Sequence, residues 1–149
     1  MAIYNDDGKS VKSEYLLNIP QWTAGSTTTD AVEQTTAVVD VLGYRSGKVV
    51  MAYNTTLSST KKLNYTLSIQ DSANNSDWNT AVVLASGSTI ATYSTTAAVK
   101  DTFEVDLNLE PYGRYIKFNF TPDLTATNTD TCAMNLTFLK LGASALPAL

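Results

Sequence analysis

DTFEVDLNLEPYGRYIKFNFTPDLTATNTDTCAMNLTFLKL, which occupies residues 101–141, contains three segments in which apolar and polar residues alternate. The apolar positions are Phe103, Val105, Leu107 and Leu109, then Ile116, Phe118 and Phe120, then Cys132, Met134, Leu136 and Phe138. Because successive side chains of a strand point to opposite faces of its sheet, each segment predicts a strand with one buried and one solvent-facing side. Strands of this kind, joined by turns, are typical of an antiparallel sheet that is covered on one face.

The segments before residue 101 extend this pattern to about eight strands. They comprise Val49, Met51 and Tyr53, then Leu63, Tyr65, Leu67 and Ile69, and two short segments at 81–85 and 89–93 with a predicted turn at Ser86, Gly87 and Ser88 between them. Turn-forming residues recur roughly every ten residues, a spacing that is typical of sandwiches and barrels. The chain is therefore predicted to be all-β, an antiparallel β-sandwich of about eight strands with a jelly-roll-like arrangement and an extended N-terminal arm.

Residues 30–42 fit two kinds of structure. Asp30 and Glu33 have the spacing of a helix capping box, and Gly43 would end such a helix. Against a helix, residues 35–41 are rich in β-branched threonine and valine, which favour strands. We favour a strand over residues 36–42, which then opens the sandwich domain.

Patterning divides the chain into three parts: an extended arm over residues 1–35 with one short strand near 14–19, the sandwich domain over 36–142, and a tail over 143–149. No steady period runs through the arm, yet its aromatic and aliphatic residues need a dry surface. They are predicted to lie either on the protein's own sandwich or on a neighbouring subunit. The predicted subunit or partner interface consists of Tyr15, Leu16, Ile19 and Trp22 from the arm and Leu146 and Leu149 from the tail.

Composition argues against catalysis and against nucleic-acid binding. The 149 residues include no histidine, which is the commonest general base and a common metal ligand. The single cysteine, Cys132, lies on the apolar side of its segment, where a thiol behaves as a small hydrophobic group. A net charge of −4 offers no basic patch for phosphates. We therefore predict a protein that is not an enzyme, with no catalytic residue, cofactor or metal site and no nucleic-acid partner.

Three groups of residues suggest a function but have a simpler structural explanation. The loop from Asp71 to Asp77 offers oxygen ligands suited to calcium, yet it lacks the EF-hand order, and an Asx-rich turn explains it. Glu104 and Asp106 share one side of a strand as a glycosidase pair would, but they alternate with apolar residues and so mark its solvent-facing side. The third group is the set of aromatic residues near loops, Tyr44, Tyr53, Trp78, Tyr93, Tyr112 and Tyr115. If these residues stacked on sugar rings, the chain would be a carbohydrate-binding β-sandwich module of a receptor-recognition protein. This is the alternative to a purely structural role.

The N-terminal residues MAIYNDD lack the basic and apolar regions of a signal peptide. No segment of the sequence is apolar over the length that a membrane-spanning helix needs. The expectation is therefore a protein that is made and folds in a cytosol, without disulfides and without a membrane partner.

Four segments, taken in order, resemble a family of tailed-phage capsid cement (decoration) proteins, the type first described in a Bordetella phage. They are VVDVLG at 38–43, KVVMAY at 48–53, LSIQDSANNSDW at 67–78 and GRYIKFNFTPDLT at 113–125, followed by a closing strand that ends at Leu141 and Gly142. The resemblance covers roughly residues 36–142, and its weight comes from the order and spacing of the motifs. The arm from Ala2 to Thr35 departs from the family pattern because it is longer and more aromatic.

The resemblance implies a jelly-roll homotrimer on the exterior of an icosahedral phage head, part of the virion. Such a structural protein holds major capsid protein subunits together where they meet. An arm that reaches a neighbour suits this role, and binding several capsid subunits at once would raise its affinity through multivalency.

Overall fold

The computed structural model describes residues 11–126 and 129–143, and these residues form nine β-strands and no helix. The strands are β1 (Lys12–Thr23), β2 (Gln34–Thr35), β3 (Val39–Asp40), β4 (Tyr44–Leu57), β5 (Lys62–Ser72), β6 (Val82–Thr92), β7 (Ala97–Asn108), β8 (Tyr115–Leu124) and β9 (Thr131–Ala143). The first sheet has the order β1-β9-β4-β7, and the second has the order β2-β8-β5-β6 with β3 also paired to β8. All pairs are antiparallel, so the predicted all-β sandwich is confirmed.

The core lies between the two sheets and is built by the alternating residues that the sequence singled out. Strand β8 contributes Ile116, Phe118 and Phe120, all fully buried, from the second sheet. From the first sheet, β9 contributes Leu136 and Phe138, which are also fully buried. The rings of Phe118 and Phe138 meet across the sandwich with their centroids 5.6 Å apart. Their burial in apolar surroundings supplies much of the driving force for packing the sheets together.

The arm contributes a twelve-residue strand to the first sheet, because β1 pairs with β9 along its length. Two register shifts, between Tyr15 and Leu17 and between Ile19 and Trp22, each insert one extra residue in β1. The buried residues Leu16, Ile19 and Trp22 are therefore spaced by three, where a regular strand would space them by two. This irregular spacing explains why no period is visible in the sequence here. The domain boundary at residue 35 stays a prediction, and residues 1–10 lie outside the described part of the chain.

Of the predicted strand over residues 36–42, only Val39–Asp40 (β3) is a strand, and β2 lies just before this range; both pair with β8. Thr36 fills the gap between them with its side chain. The Phe118 amide donates to Thr36 Oγ1 at 2.9 Å, and the Thr36 amide donates to the Phe118 carbonyl at 2.9 Å. The threonine hydroxyl thus takes the place of a backbone carbonyl, which lets the chain bend without leaving a buried amide unpaired.

Replacing Thr36 by valine is expected to lower the free energy of unfolding by ~1–3 kcal/mol, because the buried Phe118 amide loses its acceptor. Valine keeps the shape of threonine, so a packing change would not account for the loss. Thr35→Val is the matched control, since Thr35 is exposed, its hydroxyl bonds to the Asn119 side chain, and its removal should cost less than ~0.5 kcal/mol. Urea unfolding of both variants checks the prediction, and equal losses would contradict it.

The predicted turn at Ser86, Gly87 and Ser88 is wrong, because β6 runs through it from Val82 to Thr92. Gly87 has a φ of +57°, and the β5–β6 register shifts on both sides of Leu67. A left-handed glycine within a strand produces a kink and a bulge here, so the chain bends without reversing.

Candidate functional site

The described members of the predicted interface lie on different sides of the first sheet. Leu16, Ile19 and Trp22 are buried in the sandwich core, which is one of the two placements that the sequence left open. Tyr15 is 61% exposed on the outer side, paired with Thr137 of β9. Leu146 and Leu149 lie outside the described residues. That these six residues contact a neighbouring subunit stays a prediction, and of the four described ones Tyr15 is the accessible one.

Tyr15 is part of a broad face, the outer surface of the first sheet, which we call the outer face. The strand register places Asn18 of β1, Asn135 of β9, Ala52 of β4 and Thr102 of β7 in one row across all four strands. The neighbouring row contains Ala133, Asn54 and Lys100. Same-side neighbours on adjacent strands lie about 5 Å apart. The two rows therefore form a continuous polar surface interrupted by two alanines.

These rows line an open groove of about 530 Å³ on the outer face. The floor of the groove is formed by the short side chains of Ala52 and Ala133. The longer side chains of Asn18, Asn54 and Asn135 surround them. The exposed lining of the groove is mostly apolar, and its side-chain amides can both donate and accept hydrogen bonds, so the groove suits an uncharged partner surface. The hydroxyl of Tyr15 accepts a hydrogen bond from the backbone N–H of Asn18 at 3.0 Å. This bond holds the Tyr15 ring along β1, at one end of the two rows.

A cluster of charged side chains lies at the other end of the outer face. Lys48 Nζ lies 2.6 Å from Glu104 Oε2 and 3.4 Å from Asp106 Oδ1. The hydrogen bond to Glu104, with the nearby Asp106 charge, raises the pKa of Lys48 above its ordinary value of 10.5. Glu104 and Asp106 thus lie on the solvent-facing side of β7, as predicted, and serve as partners of a lysine.

A buried cation lies beneath this sheet, and the sequence analysis missed it. Lys140 follows Phe138 on the inward side of β9, and its side chain is only 6% exposed. Its Nζ donates to Glu14 Oε1 at 2.7 Å and to the Asp40 carbonyl at 3.1 Å, and it lies 5.0 Å from the Tyr44 ring centroid. The bond from Lys140 lowers the pKa of the Glu14 carboxyl. The alternation of residues 132–140 could have revealed an inward lysine, although not its partners.

A second ion pair fixes the short strand β3 to β8. The Arg114 guanidinium binds both carboxylate oxygens of Asp40, with Nη2 2.7 Å from Oδ2 and Nε 3.2 Å from Oδ1. This contact lowers the pKa of Asp40 and raises that of Arg114. Asp40 is therefore bound by two cations: Lys140 donates to its backbone carbonyl, and Arg114 donates to its carboxylate. Both pairs serve the structure around β3.

The loop from Asp71 to Asp77 is an Asx turn, as predicted. Asn74 Oδ1 accepts from the amides of Ser76 and Asp77, both at 2.9 Å. Asp71 Oδ2 accepts from the Gly113 amide at 2.7 Å and so ties the loop to the β7–β8 turn. Over residues 11–126 and 129–143, no three acidic, cysteine or histidine side chains are grouped as metal ligands would be. The oxygens of this loop instead organise its backbone.

The six aromatic residues proposed for sugar stacking are spread over the molecule. Tyr53 faces the core and is buried, and burial raises its pKa. Trp78 lies beneath the Lys117 ammonium, 4.2 Å from the ring centroid, on the second sheet. Tyr44 contacts Lys140, and Tyr115 lies beside Arg114, 5.0 Å from its guanidinium. The groove on the outer face has no aromatic floor, since alanines occupy that position.

Cys132 is fully buried on β9, and burial raises the pKa of its thiol to about 12. At neutral pH the side chain is therefore a protonated thiol, which is a poor nucleophile. This environment agrees with the prediction that Cys132 packs as a small hydrophobic group. No helix in the described part of the chain is long and apolar enough to cross a membrane.

The described residues thus define an antiparallel β-sandwich of the jelly-roll-like class, with an open polar face on one sheet. No protein-family model and no curated protein sequence matches the chain. Among solved structures, the VP2 subviral particle of infectious bursal disease virus superposes on 92% of this chain and 34% of its own, with a TM-score of 0.50 and 11% identity. The structure of the Gt strain of the same virus superposes on 93% of this chain and 35% of its own, with a TM-score of 0.50 and 13% identity.

This chain therefore spans about a third of the length of the viral chains that it matches. At such low identity the likeness is one of fold alone. The xylan-binding module CBM15 also superposes, on 91% of this chain and 98% of its own, with 14% identity. Its TM-score of 0.41 is too low to support an argument.

Proposed function

We propose that this protein is a non-enzymatic structural component of a virion, a capsid cement or decoration protein that stabilises a phage head by binding across its major capsid subunits. It would be made in the host cytoplasm and act on the exterior of the capsid, as a homotrimer, without nucleic acid, membrane or cofactor. The observation that carries the proposal is the outer face of the first sheet, a wide, open surface of alanine, asparagine and threonine side chains.

The chemistry of the outer face suits contact with a protein surface. Ala52 and Ala133 allow a partner backbone to come close, and the surrounding amides can bond to its N–H and C=O groups. The Lys48, Glu104 and Asp106 cluster carries one net negative charge, which Lys100 on the same face offsets, so the outer face has little net charge to desolvate on binding. A surface of this kind binds weakly per copy. A symmetric oligomer on a symmetric shell would multiply those weak contacts.

Two further observations support a shell protein. The order of the four sequence motifs resembles that of the phage cement family, and the sandwich shares its fold with the capsid protein of a virus. The acidic sequence pI of about 4.6 argues against binding to packaged nucleic acid. The absence of histidine from the sequence and the burial of the protonated Cys132 thiol support a non-enzymatic role.

Ala52→Arg is expected to weaken binding to expanded phage heads at least about tenfold, because the arginine fills the groove and adds a charge. Ala52 is exposed, so the fold should tolerate the change. The measurement is cosedimentation of the purified protein with heads prepared without it, together with the temperature at which the heads rupture. Wild-type protein should raise that temperature.

Ser76→Arg is the matched control, because Ser76 is exposed in the Asx loop, away from the outer face, and should leave binding unchanged. Wild-type protein that ignores the heads would overturn the proposed function. Equal binding by all three proteins would move the contact away from the outer face. A glycan array discriminates the carbohydrate-binding alternative, which predicts a signal that is lost in Trp78→Ala or Tyr112→Ala.

A further inference from the structure

A cleft of about 260 Å³, which we call the end cleft, lies at the end of the sandwich where β9 leaves the first sheet. Its walls are the turn between β3 and β4 and the turn between β7 and β8. The Val41 amide donates to the Arg114 carbonyl at 2.8 Å, and the Leu109 amide donates to the Arg45 carbonyl at 2.9 Å. These backbone hydrogen bonds set the position of both walls.

The end cleft is lined largely by apolar and aromatic residues, and one of them is left in water. Val41 and Leu109 are buried, and Tyr44 and Tyr112 are half-buried. Leu42 is 64% exposed, which is the largest exposure among the large apolar side chains of the described residues. An apolar group seated in the cleft would remove Leu42 from water, which is favourable.

The path of β9 leads to the end cleft. Strands β9 and β4 are antiparallel, and their pairing extends as far as Ala143, which lies opposite Tyr44. Tyr44 itself lines the cleft. Because antiparallel neighbours run in opposite directions, the residues that follow Ala143 are directed toward Gly43 and Leu42, in one wall of the cleft.

The segment that follows, residues 144–149, lies outside the described residues and has the sequence SALPAL. It contains two leucines and a proline and no charged side chain. An extended chain spans at most about 3.5 Å per residue, so Leu146 can lie up to roughly 10 Å from Ala143, close enough to reach the cleft. A cavity of about 150 Å³ can hold a benzene ring, so the end cleft has room for a leucine side chain.

We propose that the segment 144–149 docks into the end cleft of its own chain, with Leu146 packed against Leu42. The neutral segment brings no charge that would have to be desolvated. Its attachment beside the cleft gives it a high effective concentration there, which favours it over a separate partner.

This placement assigns Leu146 to its own chain, in place of the subunit contact predicted for it. The end cleft shares no residue with the groove of the outer face. The inference therefore does not rest on the proposed function, and the two can fail independently.

The first measurement is NMR spectroscopy of the full chain with labelled leucine methyl groups. We expect nuclear Overhauser contacts between the methyl groups of Leu146 and Leu42, and Leu146→Ala should remove them. A filtered experiment on a mixture of labelled and unlabelled chains detects only contacts between copies. The Leu146–Leu42 contact should be absent from it.

The second measurement is hydrogen exchange of the segment. Leu42→Asp is expected to speed exchange at the amides of residues 144–146 at least about tenfold, because it places a charge where the segment docks. Leu42 is exposed, so the fold should tolerate the change. Val83→Asp is the matched control, because Val83 is 63% exposed on β6 and lies outside the end cleft, and it should leave these exchange rates unchanged.

Absence of the Leu146–Leu42 contact, or equal exchange rates in wild type and Leu42→Asp, would overturn the proposal. A contact that appears in the filtered experiment would place the segment on a neighbouring copy, and docking within one chain would then be wrong. Binding to phage heads is not measured in either experiment, so it tests only the proposed function.

Discussion

Gly47→Ala is expected to destabilise the sandwich by about 3 kcal/mol, the upper end of the range for overpacked cores. A Cβ at Gly47 would lie 2.1 Å from Phe138 Cζ and 2.7 Å from Cε2, far inside van der Waals contact. The ring has nowhere to go, because Phe138 is fully buried and faces Phe118 across the sandwich. Gly47, near the start of β4, thus provides the space in which the Phe138 ring packs over the strand.

Urea unfolding measures this loss as a lower midpoint with an unchanged slope. Phe138→Leu is the second single variant of a double-mutant cycle, because it removes the ring atoms that would clash with a Cβ at Gly47. In the double variant the two losses should not add, and the coupling energy should be on the order of 1–3 kcal/mol. Additive losses would show that the ring and Gly47 are not in contact.

Gly87→Ala is the control for the backbone effect of replacing glycine. A Cβ there meets nothing within 4 Å, so only the positive φ of 57° opposes the change. The cost of that conformation is ~1–2 kcal/mol for an L-residue. The Gly47 variant should be the more damaged of the two, and the reverse order would contradict the packing that places Phe138 over β4.

Glu14→Gln is expected to cost about 2 kcal/mol, whereas Lys140→Met should change stability by less than ~1 kcal/mol. Removing the negative charge leaves the Lys140 ammonium almost fully buried with only uncharged partners, which are the new side-chain amide, the Asp40 carbonyl and the Tyr44 ring. Removing the ammonium leaves Glu14, which is 34% exposed and can be hydrated. This partial exposure of Glu14 is why the expected loss falls below the ~3–5 kcal/mol seen for fully buried pairs.

The same pair predicts an acid-sensitive stability. The pKa of Glu14 lies below its ordinary value of 4.5 in the folded chain, chiefly because of the bond from Lys140. The unfolded chain therefore takes up the proton at higher pH than the folded one. The contribution of the pair is fully present above the ordinary pKa and is lost as the pH falls through the lowered value.

Urea unfolding at pH 7 and at about pH 3.5 measures this effect, since the two conditions bracket the ordinary carboxyl pKa. The difference in unfolding free energy between wild type and Glu14→Gln should shrink at the acidic pH. Lys140→Met should lose less stability than wild type between the two conditions. If Lys140→Met were instead the more damaging substitution at pH 7, the buried ammonium would be a net stabiliser in its own right.

Much of the fold follows from local alternation. Residues such as Val49, Leu67 and Phe118 were assigned to the buried side from spacing alone, and all three are fully buried. The Asx turn and the solvent-facing position of Glu104 could also be predicted, because both depend on residues close in sequence. The interruption after Thr35 could not be predicted from the sequence. The Thr36 hydroxyl replaces a backbone carbonyl as the acceptor of the Phe118 amide, and the sequence does not show that Phe118 lies opposite.

The candidate site was only partly predictable. Tyr15 was singled out for its aromatic character, and it lies on the accessible side of the first sheet. The groove itself had no signal in the sequence, because Asn18, Ala52 and Asn135 are far apart along the chain and meet only through strand register. The partners of the inward Lys140 could not be predicted either, because Glu14 and Asp40 lie on other strands and are distant in sequence.

The sequence by itself determined that this chain is a β-sandwich with an apolar interior and no histidine-based chemistry, because alternation and composition are properties of neighbouring residues. Only the tertiary structure decided which strands pair, where β1 and β6 bulge, and which strands lie at the sheet edges. Those features depend on contacts between residues distant in sequence. A one-residue change in register would send each side chain to the opposite face, so the surfaces that a partner meets are set by pairing.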